Sequence, residues 1–473
     1  MTAETIRAPR LPHRRNIELR LLLFAVAIAV AAYIAVGLAH DERIPAGALS
    51  YGLALALLFG VAHLAVRYLA PAADPLLLPL VALLNGVGVV VVRRLDFAAV
   101  DQVAGTAKKA TAYAPLQLVW TAVGVALFVA TLALVRDHRF LDRYRYSFAA
   151  LGLVLLMLPA VPGIGRTING AKLWLRLGVF SIQPSEFAKI CLIVFFASYL
   201  VAKREVLSLA TRRVAGLNLP RGRDLGPVVL AWLGSLAVLV FERDLGSSLL
   251  FFGIFIVMLY VATERTSWVL IGLGLFGIGT FAAYEAFGHV RERVDVWLHP
   301  FRDAAGHGYQ LVQALFGFGT GGLTGTGLGR GRPDAVPFAR TDFVFAALGE
   351  EIGLFGVVAI LLVYAVVVMR GLRTALGVRD EFGKLLAGGL AFALALQVFV
   401  VVGGVTRLIP LTGITLPFLS YGGSSLVANY VLVALLLRVS DSGRSATPGP
   451  ATPPRPTAEQ TGEMTTVLSA GAR

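Results

Sequence analysis

The chain has 473 residues, of which 57% are apolar and 15% charged, and its mean hydropathy is +0.76. Soluble domains have roughly 45–50% apolar and about 25% charged residues, so the soluble, disordered and collagen-like classes are excluded. A single cysteine excludes an intrachain disulfide. The net charge of +14 comes from short basic clusters between apolar runs, which indicates membrane topology and not nucleic-acid binding.

Twelve apolar runs are candidates to cross a bilayer, since one crossing needs about 20 apolar residues. In chain order they lie at 20–39, 47–68, 75–93, 114–135, 145–163, 184–202, 226–241, 245–263, 267–288, 342–369, 385–405 and 418–438. We therefore predict an all-α polytopic integral membrane protein with about 12 transmembrane helices. The run at 226–241 is short and is followed at once by Glu242-Arg243-Asp244, which predicts helices that stop partway across the membrane.

The placement of basic residues predicts the orientation. Four arginines precede the first apolar run and Arg20 begins it. This run has no convincing cleavage site and is therefore interpreted as an uncleaved anchor. If the N-terminus is cytoplasmic, the short inside loops 136–145 and 203–223 hold four and six Lys/Arg residues, as the positive-inside rule requires. We predict a multi-pass protein of the cytoplasmic (inner) membrane with both termini in the cytoplasm.

The same runs predict the domain organisation. A basic cytoplasmic N-terminus (1–19) precedes an additional transmembrane hairpin (20–74) and a transmembrane core (75–438) that contains a long extracytoplasmic loop (289–340). Residues 439–473 contain five prolines and no apolar period, so we predict a disordered cytoplasmic tail.

Three sites place charged residues in or beside membrane spans, where they are costly unless they face a cavity, a partner or a substrate. Glu186 and Lys189 follow Pro184 at a three-residue spacing on one helical face, and they form either a neutralising ion pair or a phosphate site. Asp244 either lines a cavity between half-length helices or caps a helix. Asp303, in the long loop near Gly306 and Gly308, is either a solvated loop residue or a general base.

Short motifs then occur in a characteristic order, and in these the chain resembles the SEDS family of polytopic peptidoglycan polymerases, the RodA/FtsW group, from about residue 75 to 438. The motifs are Asn169-Gly170-Ala171-Lys172-Leu173-Trp174-Leu175-Arg176-Leu177-Gly178, Gln183-Pro184-Ser185-Glu186 with Lys189, Asp244-Leu245-Gly246-Ser247, Asp303 before Gly308-Tyr309-Gln310, Thr341-Asp342-Phe343, Gly349-Glu350-Glu351-Ile352-Gly353 and Leu419-Ser420-Tyr421-Gly422-Gly423-Ser424-Ser425.

The resemblance implies an inverting peptidoglycan glycosyltransferase that polymerises lipid II into glycan strands outside the membrane. Asp303 matches the family's catalytic aspartate and would deprotonate the acceptor hydroxyl, while Lys189, Lys172 and Arg176 are candidates to stabilise the departing undecaprenyl pyrophosphate. A divalent cation, Mg²⁺ or Mn²⁺, is a further candidate electrophile. The other matched residues are assigned to substrate binding: Glu186, Asp244, Tyr309, Gln310, Thr341, Asp342, Glu350, Ser420 and Tyr421.

The resemblance also implies partners and a cellular role. Lipid II, membrane lipids and a class B penicillin-binding protein transpeptidase are the expected partners. The family core has ten spans, so the first two helices form an added pair. This hairpin and the Arg93-Leu95-Asp96 region resemble the longer actinobacterial RodA-type members, which favours elongation and cell shape over division. A lipid II flippase and an FtsW-like division polymerase or scaffold for the transpeptidase are the alternatives.

Overall fold

The helices follow the apolar runs of the sequence. The computed structural model describes residues 11–103, 111–161, 163–168, 171–177, 180–209, 211–214, 217–220, 229–230, 233–234, 237 and 244–445. Its α-helices are α1 (Leu11–Asp41), α2 (Ala48–Leu69), α3 (Leu77–Val103), α4 (Ala114–Leu134), α5 (Phe140–Arg143), α6 (Arg145–Met157), α7 (Pro184–Leu209), α8 (Leu245–Thr263), α9 (Thr266–Ala286), α10 (Gly288–Leu298), α11 (Tyr309–Gly321), α12 (Val344–Gly377), α13 (Glu381–Val405) and α14 (Gly423–Ser445).

Within the described residues, ten helices are long and apolar enough to cross a membrane, and these are α1–α4, α7–α9 and α12–α14. The predicted fold class is therefore confirmed. The run at 145–163 forms the shorter α6, which continues into one 3₁₀ turn at Leu158–Ala160. Most of the run at 226–241, where we predict helices that stop partway, lies outside the described residues.

The first and last helices are longer than the apolar runs that predicted them. Helix α1 begins at Leu11, so the second half of the predicted basic N-terminus is helical. The helix can include these polar residues because Arg15 is paired inside the protein with Glu18 of the same helix. Glu18 also contacts His63 of α2 at 2.7 Å. Helix α14 extends to Ser445, and the predicted disordered tail beyond it lies outside the described residues.

Two small antiparallel sheets, absent from our sequence prediction, connect the helices. Strands β1 (Gly165–Ile168), β2 (Ala171–Leu177) and β3 (Phe180–Ile182) pair in that order between α6 and α7. Strands β4 (Thr211–Val214) and β5 (Leu217–Pro220) follow α7. In β2, leucines alternate with Lys172, Trp174 and Arg176, which is the period-two pattern of a strand with two different faces.

Polar contacts gather at the two ends of the helix bundle. The first, which we call the loop end, carries residues 287–343 and 406–422. At the opposite end, Asp74 accepts hydrogen bonds from Arg370 (2.7 Å) and Arg444 (2.6 Å), and His138 lies 3.0 Å from Asp380. Between the ends the helices pack through one continuous hydrophobic core.

Helix α12 is kinked at Gly353, which adopts φ 64° and ψ −172°. At the kink the backbone of the preceding loop packs against the helix. The N–H groups of Leu354 and Phe355 donate to the loop carbonyls of Gly322 and Leu323. A β-carbon on Gly353 would lie 2.2 Å from the nitrogen of Gly325.

The substitution Gly353→Ala should therefore lower the free energy of unfolding by about 2 kcal/mol or more, since positive φ and a backbone clash are both imposed on alanine. Unfolding in detergent measures the change. Gly377→Ala, on the same helix where a β-carbon meets nothing within 4 Å, should change stability by less than about 1 kcal/mol. Equal effects of the two substitutions would contradict this explanation of the kink.

Candidate functional site

The segment 406–422, between α13 and α14, forms neither helix nor strand, yet much of it is buried. Thr412, Leu416 and Ser420 each expose less than 5% of their surface. Irregular backbone at the end of a membrane bundle must have its polar groups satisfied by protein or water. The hydrogen bonds of this segment therefore reveal how the loop end is assembled.

Side chains from four different helices bind the carbonyl groups of the segment. Arg293 of α10 donates to Leu411 (2.9 Å) and Thr412 (3.1 Å), and Gln397 of α13 donates to Thr415 (3.0 Å). Tyr364 of α12 donates to Pro417, and Gln117 of α4 donates to Ser420 (3.1 Å). The segment is thereby fixed in one path between helices that are far apart in sequence.

Lys189 is attached to this network through Gln397. Its ammonium group donates to Glu186 (2.8 Å) and to the side-chain oxygen of Gln397 (2.7 Å), and only 3% of Lys189 is exposed. Glu186 and Lys189 thus form the buried ion pair that their spacing allowed. The same glutamine binds Lys189 with its oxygen and the carbonyl of Thr415 with its nitrogen.

Asp244 and Asp342 lie near Arg293. Asp244 caps α8, because its carboxylate accepts the N–H of Ser247 at 3.0 Å and also its hydroxyl. A β-carbon on Gly413 would lie 3.8 Å from both Arg293 and Asp342, so this glycine, with φ 75°, lets the two charged groups approach the backbone.

Burial gives the two carboxyl groups unusual acidities. Desolvation is the main cause that raises the pKa of Asp342 to about 6; Thr341 and Arg293 lower it, and the charge of Asp244 raises it. Desolvation also raises the pKa of Asp244, against hydrogen bonds from Ser247 and the charge of Arg293. At neutral pH, Asp342 is therefore close to the point at which it gains or loses a proton.

Asp303 stands on a separate, exposed turn between α10 and α11. Its two carboxylate oxygens accept the N–H groups of Gly306 (3.0 Å) and His307 (2.9 Å). Among the described residues, Asp303 forms its hydrogen bonds within this turn and none with the buried network. The turn is joined to the network by α10, whose Trp297 and Arg293 both bind the 406–422 segment.

Glu350 and Glu351 hold the long loop against α12. Glu350 accepts the N–H of Arg332 at 2.7 Å, and Glu351 accepts the N–H of Gly329 at 2.9 Å. Glu351 also pairs with Arg94 of α3 at 2.8 Å. Both carboxylates are thus engaged in attaching the loop to the helices.

The remaining predicted residues fall into three groups. Ser420 donates to the carbonyl of Thr341, and Tyr421 packs edge-on against Tyr113, so these residues belong to the 406–422 network. Tyr309 and Gln310 begin α11, where Tyr309 is 39% exposed. Lys172 and Arg176 lie in β2, and their side chains are outside the part that the structure describes.

Comparison with known proteins places this architecture in a family. The family model FTSW_RODA_SPOVE, described as a cell cycle protein, matches residues 75–445. The chain belongs to this family. Peptidoglycan glycosyltransferase RodA of Mycobacterium tuberculosis is 55% identical over 437 residues, which are 92% of each chain, and the same protein of Mycobacterium leprae is 53% identical. The resemblance to SEDS proteins, and to RodA in particular, is confirmed.

Solved structures of family members agree with the fold. The Thermus thermophilus rod shape determining protein RodA superimposes with a TM-score of 0.52 at 27% identity, over 79% of this chain and 98% of the other. A chain from a study of the structural coordination of polymerization and crosslinking by a peptidoglycan synthase complex gives a TM-score of 0.57 at 28% identity, over 76% and 97%.

Our sequence analysis missed two residues of the network around the 406–422 segment, Arg293 and Gln397. A glutamine in the otherwise apolar run 385–405 is a signal in itself, since a polar residue inside a span needs a partner. Arg293 carries no such signal, because it is one of several charged residues in α10.

The raised pKa of Asp342 predicts a pH dependence of stability. Between about pH 4 and 6 the folded chain holds a proton that the unfolded chain, with its ordinary pKa of 3.8, releases, so stability falls as pH rises through this window. Asp342→Asn should therefore unfold at a higher temperature than the native chain at pH 7.5, and the difference should shrink below about pH 6.

Thermal unfolding in detergent across pH 5–7.5 measures this difference. Asp295→Asn, at an exposed residue of α10, is the matched control and should give a small difference at every pH. A native chain that is more stable than Asp342→Asn at pH 7.5 would show that the carboxylate is stabilised in the fold.

Proposed function

We propose that the chain is a RodA-type peptidoglycan glycosyltransferase that polymerises lipid II into glycan strands for cell elongation and shape. The observation that carries the proposal is the 55% identity to the mycobacterial peptidoglycan glycosyltransferase RodA, which extends over 92% of both chains. The network at the loop end supports it, since cationic and acidic side chains meet there at the end of an apolar bundle.

The loop end faces the outside of the cytoplasmic membrane in this proposal, and both termini are cytoplasmic. The basic loops 136–145 and 203–223 then lie inside, as the positive-inside rule favours. A substrate with a long lipid chain remains in the outer leaflet and presents its diphosphate at the depth of the 406–422 segment. The sugar units then project toward α10, α11 and the turn of Asp303.

Arg293 is our first candidate to bind the diphosphate. One nitrogen of its guanidinium group is committed to the 406–422 backbone, and the side chain is only half-buried, so its remaining donors are available to an anion. Lys189 already binds Glu186 and Gln397, so we propose that it does not contact the substrate directly. Its positive charge would instead act on the diphosphate from a distance. Lys172 and Arg176, in the sheet next to α7, remain further candidates. Positive charge is needed because negative charge develops on the leaving phosphate oxygen.

Asp303 is the proposed general base. It removes the proton from the acceptor sugar hydroxyl, whose oxygen attacks the anomeric carbon of the lipid-linked donor, and the bond to undecaprenyl pyrophosphate breaks with inversion. The N–H groups of Gly306 and His307 hold the carboxylate in one orientation. Because the side chain is exposed, an acceptor can reach it from outside the membrane.

A divalent cation fits this site if the substrate supplies most of its ligands. Mg²⁺ is commonly held by one or two carboxylates together with substrate phosphates and water. Among the described residues no group of three or more acidic, histidine or cysteine side chains is arranged for a metal. Asp342 is the carboxylate best placed to contribute, since Asp244 is engaged with Ser247. When bound, the cation would neutralise charge on the diphosphate.

A class B penicillin-binding protein transpeptidase is the proposed protein partner. The chain with a TM-score of 0.57 comes from a peptidoglycan synthase complex that couples polymerization to crosslinking, and this chain shares its fold. A partner that crosslinks the strands as they leave the loop end would have direct access to the product.

The decisive variant is Asp303→Asn, assayed with purified protein and fluorescent lipid II. Loss of the base should lower the rate of polymer formation by roughly 10²–10⁴-fold. Asparagine keeps one acceptor oxygen for the turn, so folding should be preserved. Asp295→Asn removes an exposed carboxylate from neighbouring α10 and should retain near-native polymerisation.

Other outcomes distinguish the alternative functions. Unchanged polymerisation by Asp303→Asn would remove this residue from catalysis. Transport of lipid II across vesicles by a protein that never forms polymer would favour a flippase. If Asp303→Asn restored growth and shape to cells that lack the protein, recruitment of the transpeptidase would be sufficient, and we expect that it does not.

A further inference from the structure

The added helix pair lines a cavity that has no lining residue in the 406–422 segment. The cavity has a volume of about 490 Å³ and lies at the loop end between α1, α2, α3 and α4. Tyr33, Ser50, Tyr51, Arg93 and Leu118 contribute to its wall. Two of these four helices precede residue 75, where the match to the family model begins. The cavity therefore depends on the helices that this chain adds to the family core.

Arg93 lines this cavity, and within the described residues it forms no ion pair. Its guanidinium carbon lies 3.5 Å from the ring centre of Tyr33 and 4.8 Å from that of Phe97, and Tyr33 stacks on Tyr51 at 4.4 Å. In the described part of the chain its polar contact is a long one, 3.5 Å to the carbonyl of Tyr33. The aromatic rings fix the guanidinium group but leave most of its donors unused.

Arg94, the next residue of α3, differs from Arg93 because its charge is paired inside the protein. Arg94 donates to Glu351 at 2.8 Å and to the carbonyl of Gly331 at 2.6 Å, and it is buried. A cation in a membrane span is costly unless it is paired or faces a polar ligand. Arg94 meets this requirement inside the protein, whereas Arg93 requires a ligand in the cavity.

Two carboxylates lie near the cavity, and the exposed Asp41 acts on Arg93 electrostatically without a direct ion pair among the described contacts. Asp96 lines it too, but its carboxylate accepts the N–H groups of Tyr113 (2.8 Å) and Ala114 (2.7 Å) and lies 3.6 Å from Arg340. Helix α2 begins at the cavity after Gly47, which offers no side-chain cap, so the partial positive charge of the helix N-terminus adds to that of Arg93.

Apolar surface beside the cavity matches a lipid tail. Leu49 and Leu53 of α2 are 73% and 61% exposed, and Val119 of α4 is 46% exposed. The volume suits a small headgroup, and the mainly aromatic and aliphatic wall lacks the rows of hydroxyl and amide groups that a sugar–peptide unit would need.

We infer that this cavity binds an anionic phospholipid, with the phosphate on Arg93 and the acyl chains along α2 and α4. The lipid joins the added helix pair to the core by contacting α1 and α2 on one side and α3 and α4 on the other. This inference is independent of the proposed transferase activity.

The test measures binding of phosphatidylglycerol to the full-length protein in neutral detergent, by native mass spectrometry and by the rise in unfolding temperature. Arg93→Gln should weaken binding by at least about tenfold, since hydrogen bonds from a charged donor to phosphate are stronger than neutral ones. Ser50→Trp, which fills the cavity and leaves its charge unchanged, should also weaken binding. Arg43→Gln removes one exposed charge from the α1–α2 loop and should bind as the native chain does.

The inference is overturned if Arg93→Gln and Ser50→Trp both bind phosphatidylglycerol as well as the native chain. It is also overturned if lipid II or undecaprenyl phosphate displaces phosphatidylglycerol at equal concentration, because the carrier lipid would then be the occupant. Protection by inorganic phosphate alone would show an anion site with no lipid specificity. If Arg93→Gln does not fold, Ser50→Trp still decides the result.

Discussion

The loop end depends on one constraint, namely that the irregular 406–422 backbone must be hydrogen-bonded where water is scarce. Four helices supply the donors, and each donor is a polar side chain: Arg293 of α10, Gln397 of α13, Tyr364 of α12 and Gln117 of α4. Removing any one leaves a buried carbonyl without a partner, at a cost of about 1–3 kcal/mol. The position of each charged group near the segment follows from this arrangement.

In the proposed mechanism, single residues of the same network combine structural and chemical roles. Gln397 joins Lys189 to the segment, and Arg293 joins α10 to it while keeping donors for a ligand. Asp244 caps a helix and raises the pKa of Asp342 through its charge. A substitution at any of these positions therefore alters both the fold and the site, which is why exposed Asp303 is the cleaner residue for testing catalysis.

Local sequence patterns predicted much of the fold and one contact of the candidate site. Apolar run length predicted the spans, and the three-residue spacing of Glu186 and Lys189 placed them on one face, where they do pair. Local patterns could not predict the contacts of the candidate site, because these join residues far apart in sequence. Arg293 binds a carbonyl 118 residues away, and Lys189 binds Gln397, 208 residues away. The small β1–β3 sheet was missed although β2 alternates, since the surrounding apolar runs dominated the interpretation.

We propose that the 406–422 segment and Arg293 receive the diphosphate of the lipid-linked substrate. A structure of the protein with bound lipid II or undecaprenyl pyrophosphate tests it most directly. We predict that a phosphate oxygen lies within hydrogen-bond distance of the Arg293 guanidinium group, with the sugars extending toward Asp303. A diphosphate bound at another part of the bundle, with Arg293 in contact only with the carbonyls of Leu411 and Thr412, would contradict this proposal.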